Sequence, residues 1–399
     1  MATSSIRETV TRALSDGNGI LRLTPAWVAR DFLPPGRRLG LKEEEYNVGE
    51  RGWISERWLG STTRADNPVS YPDEGLSHIA CGAASITLKD AVDACGDLFM
   101  GAEYARTHKG LGRLAKIYDF NARIPYHLHQ RKEDATLVGR NPKEEAYYFP
   151  EGIDLGPHPE TFFGVHPSIV EKNQYDTLLP YLVEWKTDFI LRHSRAYLLV
   201  PGEGFHLPAG VLHAPGTALT IELQEDSDVA AFFQALVAGK IVSKEWLYKD
   251  VTKEARARDG ERAALQQVNW EISGDPYFYE NRHTSPQLVA ETRQAGGEEY
   301  WIYYNTHKFS GKKLIVKPGQ TFTSIDKGVY NILTWRGRGR FDGHEIAAGD
   351  FSKEELLVSH AKATTPIKVE NTGREDLFII KFFGPDINLD VPMIPRYRS

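Results

Sequence analysis

Short runs of alternating apolar and polar residues, interrupted by Gly and Pro, dominate the chain from about Leu114. A period of two puts successive side chains on opposite faces of a strand, so these runs predict β-strands. The pattern is lost between about 230 and 290 and resumes from Glu299. Many short strands at regular spacing are typical of sandwiches and small barrels. The pattern therefore predicts a mainly β protein with two β-barrels in tandem.

Helical periodicity is confined to a few segments. Apolar residues recur at helical spacing in Ile6–Leu14 and Ile86–Gly101, and again within 168–196. Pro180 is expected to separate two helices in the last segment, because proline cannot continue a helix. The charged text "KEARARDGERAALQQ" predicts a helical connector between the two β-rich parts.

These patterns give a domain plan. Residues 1–110 are expected to be a segment of strands and one helix that packs on the first barrel. The first barrel covers 111–235 and carries the helical insertion 168–196. Residues 236–295 are the helical connector, and 296–399 form the second barrel.

Composition excludes several classes of protein. The chain has 399 residues, of which 41% are hydrophobic and 26% charged, as in ordinary globular proteins. The formal net charge of −6 argues against nucleic acid or an anionic membrane as partner. No apolar run approaches the roughly 20 residues that span a bilayer, and the N-terminus has no secretory signal pattern. With two cysteines and no disulfide framework, the expected location is the cytoplasm.

Two histidines and a glutamate form a candidate metal site. His127 and His129 are two residues apart, and on a strand that spacing points both imidazoles to the same face. Glu145 follows on the next predicted strand. A third histidine would complete a set of three nitrogens and one oxygen, which suits zinc or another borderline divalent metal. An isolated His-x-His is more often a pair of ordinary strand residues than a metal site.

The stretch "GEGFHLPAGVLHAPG" supplies the third histidine. Pro208 and Gly210 predict a turn, and His213 follows that turn on the next strand. His206 lies two residues before the proline and is a competing candidate. The combination of His-x-His, a later Glu and this turn is far more specific than any of its parts.

These motifs resemble those of the type I mannose-6-phosphate isomerases, a branch of the cupin family. The turn resembles the second cupin motif. Glu145 in "PKEEAYYF" follows the His-x-His pair after a long gap, as the corresponding glutamate does in that branch. The segments "ERWLGS", "LAKIYDFNARIPYHLHQ" and "TIELQEDSD" resemble further pieces of the same family. The resemblance implies tandem cupin barrels (double-stranded β-helix or jelly-roll barrels) with inserted helices, the second barrel without a metal.

The resemblance also implies roles for particular residues. The implied metal ligands are His127, His129, Glu145 and His213. Zinc is the first choice of metal, with Mn²⁺, Fe²⁺ and Ni²⁺ as alternatives. Glu222, Lys143 and Lys116 stand at the family's catalytic positions. Tyr126 and Tyr147 are expected to line a sugar pocket, because aromatic faces suit C–H-rich surfaces, and Arg123 is a candidate cation for the substrate.

The implied reaction is the interconversion of an aldose and a ketose through an enediol(ate), on a sugar or sugar phosphate. Phe232 stands where the family has an arginine, which no apolar side chain can imitate. This leaves open whether the substrate is mannose 6-phosphate or a non-standard sugar. The alternatives are a cupin epimerase, lyase or oxygenase, or a non-catalytic sugar-binding protein. The second barrel is expected to cover the first or to form a homodimer surface.

Overall fold

The computed structural model describes residues 3–81 and 84–398, which fold into antiparallel β-sheets with short helices between them. The α-helices are α1 (Thr3–Asp16), α2 (Leu88–Met100), α3 (Ala102–Thr107), α4 (Lys132–Leu137), α5 (Pro167–Glu171), α6 (Leu179–Glu184), α7 (Glu245–Tyr248), α8 (Lys253–Asp259), α9 (Arg262–Leu265), α10 (Trp270–Ser273), α11 (Phe278–Arg282) and α12 (His360–Ala363). Within the described ranges, no helix has the length and apolar character needed to cross a membrane.

The strands of the first 250 residues are β1 (Ile20–Thr24), β2 (Ala26–Arg30), β3 (Trp53–Leu59), β4 (His78–Cys81), β5 (Ala84–Thr87), β6 (Arg113–Tyr118), β7 (His127–Leu128), β8 (Glu145–Tyr148), β9 (Glu160–Phe163), β10 (Arg195–Leu198), β11 (Gly204–Leu207), β12 (His213–Ala214), β13 (Thr220–Glu225), β14 (Ala231–Phe232), β15 (Leu236–Val237) and β16 (Lys240–Ile241). The later strands are β17 (His283–Thr284), β18 (Gln287–Leu288), β19 (Gly297–Tyr303), β20 (Ser310–Val316), β21 (Thr321–Ser324), β22 (Tyr330–Arg336), β23 (Arg338–Phe341), β24 (His344–Ala347), β25 (Glu355–Val358), β26 (Ile367–Asn371) and β27 (Leu377–Phe383).

The two N-terminal helices form where the periodicity predicts them. In α1, Ile6, Val10 and Ala13 lie on the face that packs into the core, at helical spacing. The start of α2 is capped, since the Thr87 hydroxyl accepts the backbone N–H of Asp90. Gly101 ends it with a φ of 78°, a left-handed conformation that costs glycine little.

Two sheets face each other in the first barrel. The larger has the strand order β17-β11-β8-β13-β6-β3-β2, and the smaller has the order β10-β9-β12-β7-β14. The second barrel is built in the same way from sheets of order β18-β19-β20-β27-β22-β25-β1-β4-β5 and β21-β26-β23-β24. The mainly β, two-barrel architecture predicted from the sequence is confirmed.

The barrels pack back to back through their larger sheets. Ile221 and Leu223 of β13 share one apolar cluster with Ile380 and Phe382 of β27. The Tyr303 hydroxyl donates to the carbonyl oxygen of Ile221 at 3.0 Å across this interface. Because side chains alternate along a strand, the residues between these apolar ones point into their own barrels.

Residues 1–110, expected to pack on the first barrel, contact both barrels. Strands β2 and β3 extend the larger sheet of the first barrel, but β1 pairs with β25, with Ile20 opposite Val358. Helices α1 and α2 pack against the core of the second barrel. The periodicity identified these elements but carried no information on which sheet each one joins.

The helical segments between β9 and β10 and within 236–295 belong to the first barrel. Helices α5 and α6 lie between β9 and β10; α6 is within the predicted insertion 168–196, and α5 begins one residue before it. Residues of α7 and α9, such as Leu247 and Leu265, pack in one cluster with Leu128 of β7. The segment 236–295 therefore covers one side of the first barrel as well as linking the two. The domain boundaries given above stay a proposal.

Candidate metal centre and cleft

Three histidines meet inside the first barrel. His127 of β7 lies directly opposite His213 of β12, and His129 follows β7. A ligand nitrogen from each of the three lies within 4.8 Å of the others, and all three side chains are buried. The backbone ties them together, since the N–H of Gly210 donates to the carbonyl oxygen of His129 at 2.7 Å. The turn that precedes His213 is thereby fixed to the strand that carries the other two.

The same nitrogen of each ring is held by the backbone. Nδ1 of His127, His129 and His213 lies 2.7, 2.7 and 2.9 Å from the carbonyl oxygens of Pro125, Val229 and Val211. A carbonyl only accepts, so each Nδ1 carries a proton and each Nε2 is directed to the interior. Metal-binding histidines are oriented in this way by their outer nitrogen.

Glu145 is the fourth member of this group and contacts two of the histidines. Its two carboxylate oxygens lie 3.0 Å from Nε2 of His129 and 3.0 Å from Nε2 of His213. Burial and the charge of Lys143 lower the pKa of His129 to about 3, so its ring is neutral at neutral pH. Lone pairs and a carboxylate that face each other at this distance repel unless a positive charge lies among them.

Lys143 supplies one such charge. Its Nζ is 2.8 Å from Nε2 of His129 and 3.0 Å from Oε2 of Glu145. Even so, Oε2 of Glu145 and Nε2 of His213 are buried without a hydrogen-bond partner. Buried polar atoms without partners are rare and often mark a site for an ion. Three imidazole nitrogens and one carboxylate are a donor set that suits a divalent metal ion.

Glu222 and Lys116 lie beside this group on neighbouring strands. They are directly opposite each other on β13 and β6, with Lys116 Nζ 3.2 Å from Glu222 Oε1. Lys143 Nζ approaches the same oxygen to 3.4 Å. Burial and the nearby Glu145 raise the pKa of Glu222 to about 7, although both lysines oppose the shift. Lys116 and Glu222 are both buried, because their side chains point into the first barrel while Ile117, Ile221 and Leu223 face the second barrel.

A narrow cleft of about 70 Å³ leads to these groups. One side is charged and carries Lys116, Lys143, Glu222 and the imidazoles of His127 and His129. The other side is apolar and includes Phe32, Phe120, Phe232 and Trp246.

The predicted substrate residues separate into two groups. Tyr147 lines the cleft, and its hydroxyl donates to Oε1 of Glu145. Tyr126 lies instead in an apolar cluster, where its hydroxyl donates to the carbonyl oxygen of Gly164 at 2.6 Å. The Arg123 guanidinium binds Glu160 and lies over the ring of Phe162. The structure does not bring Tyr126 or Arg123 to the cleft, because their partners hold them on other faces.

His206 is excluded as the third ligand. Its Nε2 lies 3.0 Å from Oε1 of Glu144, and its Nδ1 lies 3.1 Å from Nδ2 of Asn305. The strand register explains this, since Glu144 and Glu145 are neighbours whose side chains point to opposite faces. Of His206 and His213, it is His213 that contacts Glu145.

Sequence reasoning missed several residues that line the cleft. Arg30 at the end of β2 and Asp228 after β13 form a buried ion pair there, with Arg30 Nη2 3.2 Å from Asp228 Oδ1. Trp246 reaches the cleft from α7. A buried arginine at the end of an apolar strand is a signal that a carboxylate partner exists. Nothing in the sequence around Trp246 indicates that its helix covers the cleft.

Comparison with known proteins identifies the fold. No family model and no curated protein matches the sequence. Among solved structures, a candidate mannosephosphate isomerase from Archaeoglobus fulgidus superposes with a TM-score of 0.61 at 14% identity, over 92% of this chain and 97% of that one. The mannose 6-phosphate isomerase from Bacillus subtilis gives 0.59 at 16% identity, over 91% and 99%.

A zinc-bound mannose 6-phosphate isomerase gives a TM-score of 0.58 at 12% identity, over 92% of this chain and 100% of that one. Similarity at this level of identity identifies the fold and leaves the reaction to be argued from the site. The chain has the cupin fold of the solved mannose-6-phosphate isomerases.

Proposed function

We propose that the protein is a metal-dependent sugar isomerase that interconverts an aldose and a ketose through an enediol(ate). The observation that carries the proposal is the convergence of three Nε2 atoms and the Glu145 carboxylate beside a cleft that also contains Glu222, Lys116 and Lys143. A metal ion, a carboxylate and fixed cations are the groups needed to move a proton between two adjacent carbons that carry a carbonyl and a hydroxyl oxygen. The likeness of fold to isomerases supports the same reading.

His127, His129, Glu145 and His213 would hold the metal, and zinc suits a set of three nitrogens and one oxygen. When bound, such a metal supplies Lewis acidity to the oxygens of a substrate. The fit rests on the Nδ1 protons, which leave every Nε2 lone pair directed inward, and on the buried ligand atoms without partners. Mn²⁺, Fe²⁺ and Ni²⁺ accept the same donors.

Glu222 is the proposed proton carrier. The reaction removes a proton from the carbon beside a carbonyl and returns it to the neighbouring carbon, so the group must accept and release a proton at working pH. The pKa of about 7 that burial gives Glu222 meets this requirement. Its carboxylate also lines the cleft, which puts it within reach of a bound sugar.

The two lysines would stabilise negative charge on substrate oxygens. Lys116 and Lys143 approach Glu222 Oε1 from two sides, at 3.2 and 3.4 Å, and both line the cleft. Fixed ammonium groups in a buried site stabilise a developing oxyanion more strongly than water does. Lys116 remains charged at neutral pH, because burial lowers its pKa but Glu222 and Glu56 raise it more.

The test combines metal content with proton exchange. The full chain is purified without chelator, its metal is measured, and aldoses and ketoses, free and phosphorylated, are incubated with it in deuterated water. We expect bound zinc and deuterium at the carbon next to the carbonyl. Glu222→Gln should abolish exchange while the metal stays bound. Glu225→Gln is the matched control, since Glu225 is on the same strand but contacts Lys308.

Two outcomes would overturn the proposal. A protein that binds no divalent metal after reloading has no metal centre at these histidines. A metal-loaded protein that exchanges no proton in any sugar is not an isomerase. Bound iron with consumption of dioxygen would then favour an oxygenase on the same ligands.

A further inference from the structure

The apolar side of the cleft is a continuous aromatic surface, formed by Phe32, Phe120, Phe232 and Trp246 and named here the aromatic wall. Phe232 and Trp246 stack with ring centroids 4.7 Å apart and planes at 11°. Phe32 packs edge-on against Phe232 at 5.4 Å and stacks on Phe120 at 5.9 Å. The wall begins at the metal centre, since Phe232 lies opposite His127 in the strand register.

Part of the wall remains uncovered by protein. Phe32 and Trp246 are half-buried, whereas Phe120 and Phe232 are buried. Aromatic faces carry partial negative charge and attract the C–H groups of a sugar, which carry partial positive charge. An anion meets the opposite situation, because its charge is repelled by the ring face and loses its hydration water in a narrow cleft.

The cations that line the cleft are already neutralised by carboxylates. All five N–H donors of Arg30 are engaged, by Glu56, Asn67 and Asp228. Lys249 Nζ lies 3.1 Å from Asp66 Oδ2. Lys116 and Lys143 contact Glu222, and Lys143 also contacts Glu145. Lys116 and Lys143 thus belong to the reacting centre, and the other two described cations of this lining, Arg30 and Lys249, are already paired with carboxylates.

We propose that the natural substrate is an unphosphorylated sugar, whose carbons away from the reacting carbonyl lie against the aromatic wall. This inference rests on the proposed function, which it makes more specific by naming the substrate class. Trp246 is the substrate-contacting residue that selects for it. Within this lining, a phosphate would lie against aromatic rings or against Arg30 and Lys249, whose charges are already paired.

The experiment compares deuterium exchange of mannose and fructose with that of their 6-phosphates, using the full, metal-loaded chain. We expect kcat/KM to be at least about tenfold higher for the unphosphorylated sugars. Inorganic phosphate at millimolar concentration should not inhibit. A preference for the 6-phosphates, or competitive inhibition by phosphate, overturns the inference and leaves the isomerase proposal intact.

Variants of Trp246 test the wall itself. Trp246→Leu removes the ring and should raise KM for the free sugar about tenfold, with kcat changed less. Trp246→Phe keeps an aromatic face and should stay within about threefold of the wild type. Thermal melting of both variants checks that each is folded. Equal KM values for folded Leu and Phe variants would overturn the inference.

A binding measurement separates the two proposals if no exchange occurs. Quenching or enhancement of tryptophan fluorescence is titrated with free mannose and with mannose 6-phosphate. If only the free sugar binds and no exchange occurs, the isomerase proposal is overturned, but the preference for an unphosphorylated sugar is supported. Failure of both sugars to bind overturns both.

Discussion

The two barrels place charged pairs at equivalent positions but use them differently. In the first barrel, Lys116 and Glu222 are opposite each other on β6 and β13 and face the cleft. In the second, Lys312 and Lys381 are opposite each other on β20 and β27. Both pairs alternate with the apolar residues of the interface between barrels, so both point inward.

The difference lies in how completely the charges are paired. Lys381 contacts Glu299, Ser324 and Asp326 at 2.5, 2.6 and 2.8 Å, and Lys312 also binds Asp326 at 2.9 Å. In the first barrel, ligand atoms of Glu145 and His213 lack hydrogen-bond partners. A buried network that is fully satisfied stabilises a fold, whereas an incomplete one has room for a ligand.

The largest expected effect comes from breaking the closed network of the second barrel. Lys381→Met leaves the buried Glu299 and Asp326 without their main cation, which should reduce the free energy of unfolding by about 3–5 kcal/mol. Lys116→Met is the matched variant in the first barrel. It should cost less, because Glu222, with a pKa of about 7, can take up a proton instead. Denaturant unfolding measures both, and equal losses would contradict the distinction.

Metal should stabilise the first barrel through its open site. At zinc concentrations about 100 times the dissociation constant, the free energy of unfolding of the wild type should rise by about 2.7 kcal/mol. His213→Gln removes one ligand, so zinc should raise the free energy of unfolding of this variant far less. Thermal melting with zinc and with chelator gives the comparison. A wild-type melting temperature that does not depend on metal would count against the site.

A smaller effect is expected from the residue that supports Glu145. Tyr147→Phe removes the hydroxyl that donates to Glu145 Oε1, and loss of such outer partners weakens metal binding about tenfold or more. That is about 1.4 kcal/mol. Tyr148→Phe is the matched control, because the Tyr148 hydroxyl points away and donates to Glu151. Competition with a metal indicator measures the affinity, which should be unchanged in the control.

The smallest effect is a pH dependence specific to the second barrel. Burial raises the pKa of Asp326, but Lys381 and Lys312 lower it further, so the folded value lies below the unfolded value of about 3.9. The stability that this carboxylate contributes is present above that unfolded value and is lost as pH falls towards the folded one. From pH 5 to pH 3 the loss is about 1.2 kcal/mol.

Asp326→Asn should be less stable than the wild type at pH 5 and should lack this part of the acid dependence. Unfolding curves at several pH values would show the two proteins converging as pH falls. Parallel curves would mean that the pKa of Asp326 is the same in the folded and unfolded protein.

Sequence reasoning succeeded where a pattern is local. The alternation of apolar and polar residues predicted the two barrels. His127, His129 and Glu145 could be identified because they lie within one short stretch of the sequence. His213 could be found because the turn at Pro208 and Gly210 precedes it. The structure brings these four side chains together.

It failed where the answer depends on long-range pairing. Strands were predicted within residues 1–110, but nothing in the sequence shows that a partner of β1 lies more than 330 residues away. Arg30 and Trp246 reach the cleft from segments without any motif, and Tyr126 and Arg123 were misplaced because a strand pattern does not say which face meets the cleft. Such facts depend on packing between distant elements.

The pairing of β1 with β25 has a consequence for how the chain is made. Strand β1 leaves the ribosome early, yet its partner around Val358 is synthesised near the end. The edge of β1 that pairs with β25 stays unpaired until the whole first barrel has been synthesised, and unpaired strand edges tend to pair with the wrong strand. Closing so long a loop also slows folding. The second barrel should therefore acquire its protection from hydrogen exchange last, and together with the N-terminal helix α1.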